Sequence, residues 1–168
     1  MRLRIKSCEY ERLPEGTKNK LIQNEETIIT DYVKNPIKIK NTNYEIITEK
    51  VLQKLILEDI ENFLKELGDA FCFIASEYKI KLGNTYNYID LLLFNIDFNC
   101  CTVIELKITE LKKEHIGQIQ VYMNYIDESI KKINHNKTIG IIICFEDNKY
   151  IIKYCSDKRI IAREYELV

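Results

Sequence analysis

Two acids and one lysine lie within unusually apolar stretches of this sequence. Asp90 stands in the segment 86–95, and Glu105 and Lys107 stand in the segment 101–108. Both segments are apolar at consecutive positions, which is typical of strands that are covered on both faces. An ionised carboxylate in such surroundings is costly unless a cation or hydrogen-bond donors accompany it. The pattern therefore indicates that these acids need a positively charged partner or a metal ion.

The stretch between the two segments, Asn95–Cys100, carries a turn signal, so the segments are predicted to form a β-hairpin. A hairpin closed at the centre of this stretch places Asp90 opposite Glu105, where Cβ atoms are about 5 Å apart. Lys107 follows Glu105 by two residues and leaves the same face of the strand. Two acids and an amine at one position form a set of groups that suits Mg²⁺.

These residues occur in a recognisable order. Asp90, then Glu105-Leu106-Lys107, then Gly117-Gln118 and a further apolar strand resemble the PD-(D/E)XK nuclease superfamily, although Ile89 precedes Asp90 where many members have proline. From about residue 52 to 168 the text is similar to the C-terminal nuclease domain of the bacterial YhcG-like family. The similar segments are ENFLKELGDAFCFIASEYKI, YIDLLLF, VIELKITELKKEHIGQIQVYMNYID and TIGIIIC.

The resemblance implies an α/β fold: a restriction-endonuclease-like mixed β-sheet flanked by helices, with the core order α-β-β-β-α-β and further C-terminal strands. The elements expected along the chain are a helix over 48–67, a strand over 71–82, the hairpin, a helix over 112–133, a strand over 138–145, a strand over 150–154 and a C-terminal edge strand. Residues 48–168 would form the nuclease domain. Residues 1–47 would be a partly structured connector with a short helix over 21–33.

The resemblance also implies a function, namely metal-dependent hydrolysis of DNA phosphodiester bonds in restriction, repair or recombination. Asp90, Glu105 and the carbonyl of Leu106 would hold Mg²⁺ or Mn²⁺, and Lys107 would orient the attacking water. Gln118 would hydrogen-bond that water, the phosphate or Lys107. A further acid is expected on the first helix, where Glu58 aligns with the helical acid of many superfamily members. A solvated surface position is an equally good interpretation of Glu58.

DNA contacts would have to come from a local basic surface, because the net charge of the chain is only −1. The candidates near the hairpin are Lys79, Lys81, Lys112 and Lys113, together with Tyr122 one helical turn after Gln118. A solvated lysine-rich face and an ordinary amphipathic helix edge are the competing interpretations. The tyrosine-rich helix edge could also be the face of a homodimer. The YhcG-like family usually carries an additional N-terminal domain, so the resemblance also implies a possible N-terminal DNA-binding domain that would be absent from this chain.

Three other functions stay open from the sequence. The first is a catalytically weak module of the same fold that binds nucleic acid, the second is a dimerisation module, and the third is a metal-free carboxylate-pair enzyme such as a glycosidase. Six cysteines without a CxxC pair give little support for zinc. No signal peptide and no apolar run of about 20 residues are evident, so a cytoplasmic protein without membrane contact is expected.

Overall fold

Six strands form one mixed sheet in the computed structural model, which describes residues 13–15, 17–18 and 29–168. The strands are β1 (Ile37–Ile39), β2 (Phe71–Leu82), β3 (Thr85–Asn95), β4 (Cys100–Leu106), β5 (Asn136–Cys144) and β6 (Ile160–Leu167). Their spatial order is β1-β6-β5-β4-β3-β2. The pairs β2–β3 and β3–β4 are antiparallel, whereas β4–β5, β5–β6 and β1–β6 are parallel. The predicted mixed sheet is confirmed.

Helices cover both faces of this sheet. They are α1 (Glu49–Glu58), α2 (Ile60–Leu67), α3 (Lys113–Ser129) and α4 (Lys149–Lys153). The apolar stripe of α1 and α2 packs with Leu91, Ile104 and Ile141 in one core. The stripe of α3 packs with Val103 and Ile142 in a second core. The strands are therefore apolar at successive positions because alternate side chains enter different cores.

The helix α3 connects two parallel neighbours, β4 and β5, and lies very close to β5. A Cβ atom added at Gly140 would lie 2.5 Å from Met123 Sδ and 2.9 Å from Ile119 Cδ1. The end of α3 is also fixed by Arg159, which lies just before β6. Its Nη1 donates to Asp127 Oδ2 at 2.9 Å and to the carbonyl of Thr138 in β5 at 3.3 Å, so it joins the helix to the sheet.

The predicted helix over 48–67 is interrupted. Its N-cap is Thr48, whose Oγ1 accepts a hydrogen bond from the N–H of Val51 at 3.1 Å. Asp59, however, has φ −136° and ψ 52°, which ends α1 and lets α2 begin in a new direction. The apolar periodicity continues across the break, so the sequence pattern gave no sign of it.

Two further expectations about the C-terminal half are wrong. Residues 150–153 belong to α4 and residue 154 is its C-cap, so this segment is not a strand; the side chain of Asn148 accepts hydrogen bonds from the N–H groups of Tyr150 and Ile151. The helix α3 ends at Ser129 and not at Ile133, whose side chain is fully exposed. There the chain turns back toward β5, and the N–H groups of both Ile130 and Lys131 donate to the carbonyl of Ile126.

The N-terminal part contributes more to the sheet than a connector would. Residues Ile37 and Ile39 are buried in β1, which pairs with β6, so β6 is an inner strand and not the expected edge strand. Of the short helix expected over 21–33, the structure has a 3₁₀ turn over Ile29–Tyr32, and residues 21–28 lie outside the described part of the chain. The division between residues 47 and 48 stays a prediction. No helix in the described ranges is long and apolar enough to cross a membrane.

Candidate functional site

The hairpin β3–β4 has the register that the sequence predicted. Its last regular pairs are Leu92 with Val103 and Leu91 with Ile104. The next positions in the same register are Asp90 and Glu105. The two acids therefore meet at the point where regular pairing of the two strands stops.

The side chains of the two acids bridge the strands where the backbone pairing ends. Asp90 Oδ2 accepts a hydrogen bond from the backbone N–H of Leu106 at 2.8 Å. In return, the backbone N–H of Asp90 donates to Glu105 Oε1 at 3.4 Å, a longer contact. The carboxylate of Asp90 thus replaces a backbone acceptor, and each acid is positioned by the strand of the other.

The neighbouring strand β2 is irregular at the same level. Its pairs with β3 include Ser76 with Leu91 and Tyr78 with Ile89, and Glu77 lies between them, beside Asp90. Glu77 has φ +48°, in the left-handed region that non-glycine residues rarely adopt. Both neighbours of β3 therefore depart from regular pairing at Asp90, and strained backbone of this kind clusters at functional sites.

Burial dominates the electrostatics of the pair. Glu105 is only 2% exposed, and burial together with the nearby Asp90 carboxylate raises its pKa to about 9. Burial also raises the pKa of Asp90, while the hydrogen bond from Leu106 and the charge of Lys107 act in the opposite direction. At neutral pH and without a cation, the two carboxyl groups therefore hold a proton between them.

This pair fits a divalent cation. Glu105 is buried and Asp90 is half-buried. Two such carboxylates that retain a proton gain most from a hard cation, which replaces that proton and prefers oxygen ligands. No group of three or more His, Cys, Asp or Glu side chains that could hold a metal occurs within the described ranges. A cation at Asp90 and Glu105 would therefore complete its coordination with backbone carbonyl, water and phosphate oxygens, as Mg²⁺ commonly does.

The helix α3 contributes a second set of polar groups. Gln118 Nε2 donates to the hydroxyl of Tyr122 at 3.1 Å. Tyr122 is only 4% exposed, and its pKa is raised by burial and, further, by the charges of Glu105 and Asp90. The Tyr122 hydroxyl thus lies within electrostatic range of the acid pair and holds the Gln118 amide in place. Because its ring is buried, Tyr122 is poorly placed for the open DNA contact expected of it.

The structure places Glu58 away from the pair. It is exposed at the C-terminal end of α1, where its carboxylate lies 3.9 Å from Lys54 Nζ. Glu49, in the first turn of α1, is the helical acid whose charge raises the pKa of Asp90. One turn later, Gln53 Nε2 donates to the carbonyl of Asp90 at 3.0 Å. With a rise of 1.5 Å per residue, Glu58 lies about 13 Å farther along the axis than Glu49.

Glu49 and Gln53 are the functional candidates that the sequence interpretation missed. The one feature of Glu49 that is visible in the sequence is its position directly after the N-cap Thr48. An acid in a first helical turn is, however, fully explained by its interaction with the helix dipole, so nothing in the sequence pointed from Glu49 to Asp90.

The predicted basic residues lie in two exposed clusters. Lys79 Nζ and Lys81 Nζ lie 4.1 and 5.9 Å from the centre of the Tyr86 ring, at the tip of the hairpin β2–β3. Lys112 and Lys113 are exposed at the start of α3. One cluster lies on β2 and the other at the start of α3. The acid pair lies on β3 and β4, which come between these two elements in the chain.

His115 lies in the first turn of α3. Its Nδ1 accepts from the backbone N–H of Lys112 at 3.1 Å. Burial lowers its pKa, and the charges of Lys107 and Lys112 lower it further, whereas Glu49 acts in the opposite direction. His115 is therefore neutral at pH 7 and lies within electrostatic range of Lys107 and Glu49.

Residues 25–168 match the family model described as the YhcG PDDEXK nuclease domain. The chain belongs to this family. A curated relative from Escherichia coli (strain K12), named "Putative nuclease YhcG", is 24% identical over 123 residues, which are 71% of this chain and 33% of that protein. The chain thus spans about one third of the length of this relative.

Solved structures that are similar to the chain include the following two. The structure of an EndoMS–dsDNA2 complex aligns with a TM-score of 0.50 at 17% identity, over 76% of this chain and 48% of that chain. A repair endonuclease from Pyrococcus abyssi aligns with a TM-score of 0.47 at 18% identity, over 76% of this chain and 49% of that chain. The EndoMS alignment is evidence for the fold.

Proposed function

We propose that this nuclease-family chain hydrolyses phosphodiester bonds of DNA with the help of Mg²⁺ or Mn²⁺. The observation that carries the proposal is the meeting of Asp90 and Glu105 across β3 and β4, with Glu105 almost fully buried and its pKa raised to about 9. Such a pair is unfavourable in a purely structural role, since an apolar pair of similar volume avoids the desolvation. It becomes favourable when a divalent cation binds.

Asp90 and Glu105, with the carbonyl of Leu106, are the residues that would hold the cation. When bound, the cation supplies a Lewis acid that lowers the pKa of a water and offsets the charge developing on the phosphate. Lys107 directly follows β4, and its charge lowers the pKa of both acids, so its amine would orient the attacking water and donate to a phosphate oxygen. The Gln118 amide, held by Tyr122 through a 3.1 Å hydrogen bond, positions the other side of the phosphate.

DNA is the proposed substrate because two exposed lysine clusters flank the acid pair. Lys79 and Lys81 lie on one side, and Lys112 and Lys113 lie on the other. The net charge of −1 gives no general attraction to nucleic acid, so these clusters would supply the local contacts. The same proposal includes a role in restriction, repair or recombination. It also includes a homodimer and an additional N-terminal DNA-binding domain outside this chain.

A cytoplasmic location is also proposed. The five cysteines at described positions are free, although Cys100 and Cys101 are adjacent and Cys144 is buried in the same core as Cys101. Free buried thiols are typical of proteins in a reducing compartment.

The proposal is tested by incubating the purified chain with supercoiled plasmid in Mg²⁺, in Mn²⁺ and in EDTA. We expect nicking or linearisation only with metal. Asp90→Asn keeps an oxygen acceptor for the Leu106 N–H but removes the charge, so it should lower the rate by more than about 100-fold. Asp97→Asn, in the exposed turn between β3 and β4, is the matched control and should cut like the parent. Equal cleavage by Asp90→Asn and the parent would refute the site.

A further inference from the structure

A groove of about 620 Å³ lies beside the first turn of α3 and is not used by the proposed chemistry. One wall is α3, through Lys113 and Ile116, and the opposite wall is α4, through Tyr150, Ile151 and Tyr154. The groove therefore combines the aliphatic side chains of Ile116 and Ile151 with two tyrosine rings and the ammonium group of Lys113.

The aromatic wall is unusually exposed. Tyr150 and Tyr154 have 73% and 76% of their surface open to solvent. The backbone N–H of Tyr154 donates to the carbonyl of Tyr150 at 3.1 Å, so the two residues are one helical turn apart and on the same side of α4. Large rings on a solvent-exposed single turn of helix contribute little to folding, which suggests that they contact a ligand.

The groove is also suited to a negatively charged ligand. No carboxylate lines it among the residues that the structure describes, and Lys113 does. Lys153 Nζ lies 5.5 Å from the centre of the Tyr154 ring. Glu110, an acid near the rim, accepts a hydrogen bond from Asn148 Nδ2 at 3.0 Å and is thereby held by a neutral partner. Aromatic faces beside ammonium groups are the combination with which proteins bind single-stranded nucleic acid.

The groove is fixed relative to the acid pair. The strands β4 and β5 are parallel, so α4, which follows β5, lies at the same sheet edge as the end of β4. The backbone N–H of Lys107 donates to the carbonyl of Ile143 at 2.9 Å, and that of Leu111 donates to the carbonyl of Glu146, also at 2.9 Å. These bonds join the segment after Glu105 to the segment before α4.

The first turn of α3 separates the two sites. Lys113 and Ile116 face the groove, whereas His115 lies within range of the charges of Lys107 and Glu49. A helix with its side chains is about 10–12 Å across. A DNA strand that passes the acid pair can therefore reach the groove within a short length of backbone.

We propose that this groove binds unpaired bases of the DNA strand next to the phosphate that is cut. The bases stack on Tyr150 and Tyr154, and Lys113 and Lys153 contact the adjoining phosphates. Bases in a duplex already stack on each other, so the groove favours DNA with a single-stranded segment, such as a tail or flap. This inference rests on the proposed nuclease function and narrows its substrate class.

The test uses the full chain in EDTA, so that binding is measured without cleavage. Fluorescence anisotropy gives the dissociation constants for a single strand, a tailed duplex and a blunt duplex, and 2-aminopurine in the tail reports stacking by its quenching. The variants are Tyr150→Ala, Tyr154→Ala and Tyr154→Phe. Phe73→Ala is the matched control, because Phe73 is an exposed aromatic residue on β2, the strand at the far edge of the sheet.

We expect each alanine variant to weaken binding of the single strand and the tailed duplex by about 5- to 150-fold and to abolish the quenching. Binding of the blunt duplex should change by less than about twofold. Tyr154→Phe and Phe73→Ala should behave like the parent. Both tyrosine side chains are largely exposed, so the alanine variants should fold like the parent. Circular dichroism of each variant checks this.

The inference is overturned if the alanine variants weaken the binding of tailed and blunt DNA equally, or if they change the binding of neither. It is also overturned if the parent does not bind the single strand. The first two outcomes would mean a general duplex contact or a surface for a protein partner. Cleavage is measured separately with Mn²⁺ and plasmid. A parent that binds and quenches the tail but cuts no DNA refutes the nuclease proposal and leaves the groove assignment standing.

Discussion

Replacing Glu105 with glutamine should change the way in which the stability of the chain depends on pH. The pKa of Glu105 rises from 4.5 to about 9 on folding, first because the side chain is buried and then because Asp90 is beside it. The folded chain therefore keeps a proton that the unfolded chain has lost. Between these two values, the free energy of unfolding must fall as the pH rises.

The size of the effect follows from the difference in bound protons. One proton retained on folding changes the free energy of unfolding by about 1.4 kcal/mol per pH unit. From the unfolded pKa of 4.5 to pH 7, the loss from Glu105 is of order 3 kcal/mol, which is a large part of the 5–15 kcal/mol that is typical of folded domains. Glutamine cannot ionise, and its amide can still accept from the Asp90 N–H.

The assay is urea unfolding in EDTA at several pH values from 5.0 to 8.5, for the parent, Glu105→Gln and the control Glu45→Gln. Glu45 is exposed in the loop before α1. The advantage of Glu105→Gln over the parent should grow by up to about 1.4 kcal/mol per pH unit, whereas Glu45→Gln should follow the parent. Parallel pH profiles for Glu105→Gln and the parent would show that Glu105 ionises normally, and the electrostatic argument for a metal site would fail.

Four further outcomes are expected. Mg²⁺ should raise the melting temperature of the parent more at pH 8.5 than at pH 5.0, because the cation must displace the proton of the pair; an equal shift at both pH values would contradict this. Lys107→Ala should lower the cleavage rate at least tenfold while the metal dissociation constant, from calorimetry, changes little. Glu49→Gln should lower the rate of plasmid cleavage about tenfold, and Glu58→Gln should lower it less than twofold. The reverse order would show that Glu58, and not Glu49, is the helical acid of the site. Gly140→Ala should lower the free energy of unfolding by about 1–3 kcal/mol, since Met123 and Ile119 must move, and an unchanged urea midpoint would disprove the close packing.

Local sequence features are enough to predict the hairpin and the meeting of its acids. The turn at 96–99 and the alternation of side chains along β3 and β4 are local properties, and together they place Asp90 opposite Glu105. The central order of helix, strand, hairpin, helix and strand also follows from periodicity, and the resemblance to a nuclease family agrees with the match over residues 25–168.

Tertiary structure alone decided which other side chains accompany this pair. Glu49 and Glu58 are both acids on α1, and only the packing of α1 against β3 brings Glu49 and Gln53 toward Asp90. The helix α4 replaced a predicted strand for a similar reason. Its apolar residues suit either structure, and the cap from Asn148, together with the turn that follows β5, selected the helix. Contacts between elements distant in sequence have no local signature, so periodicity could not reveal them.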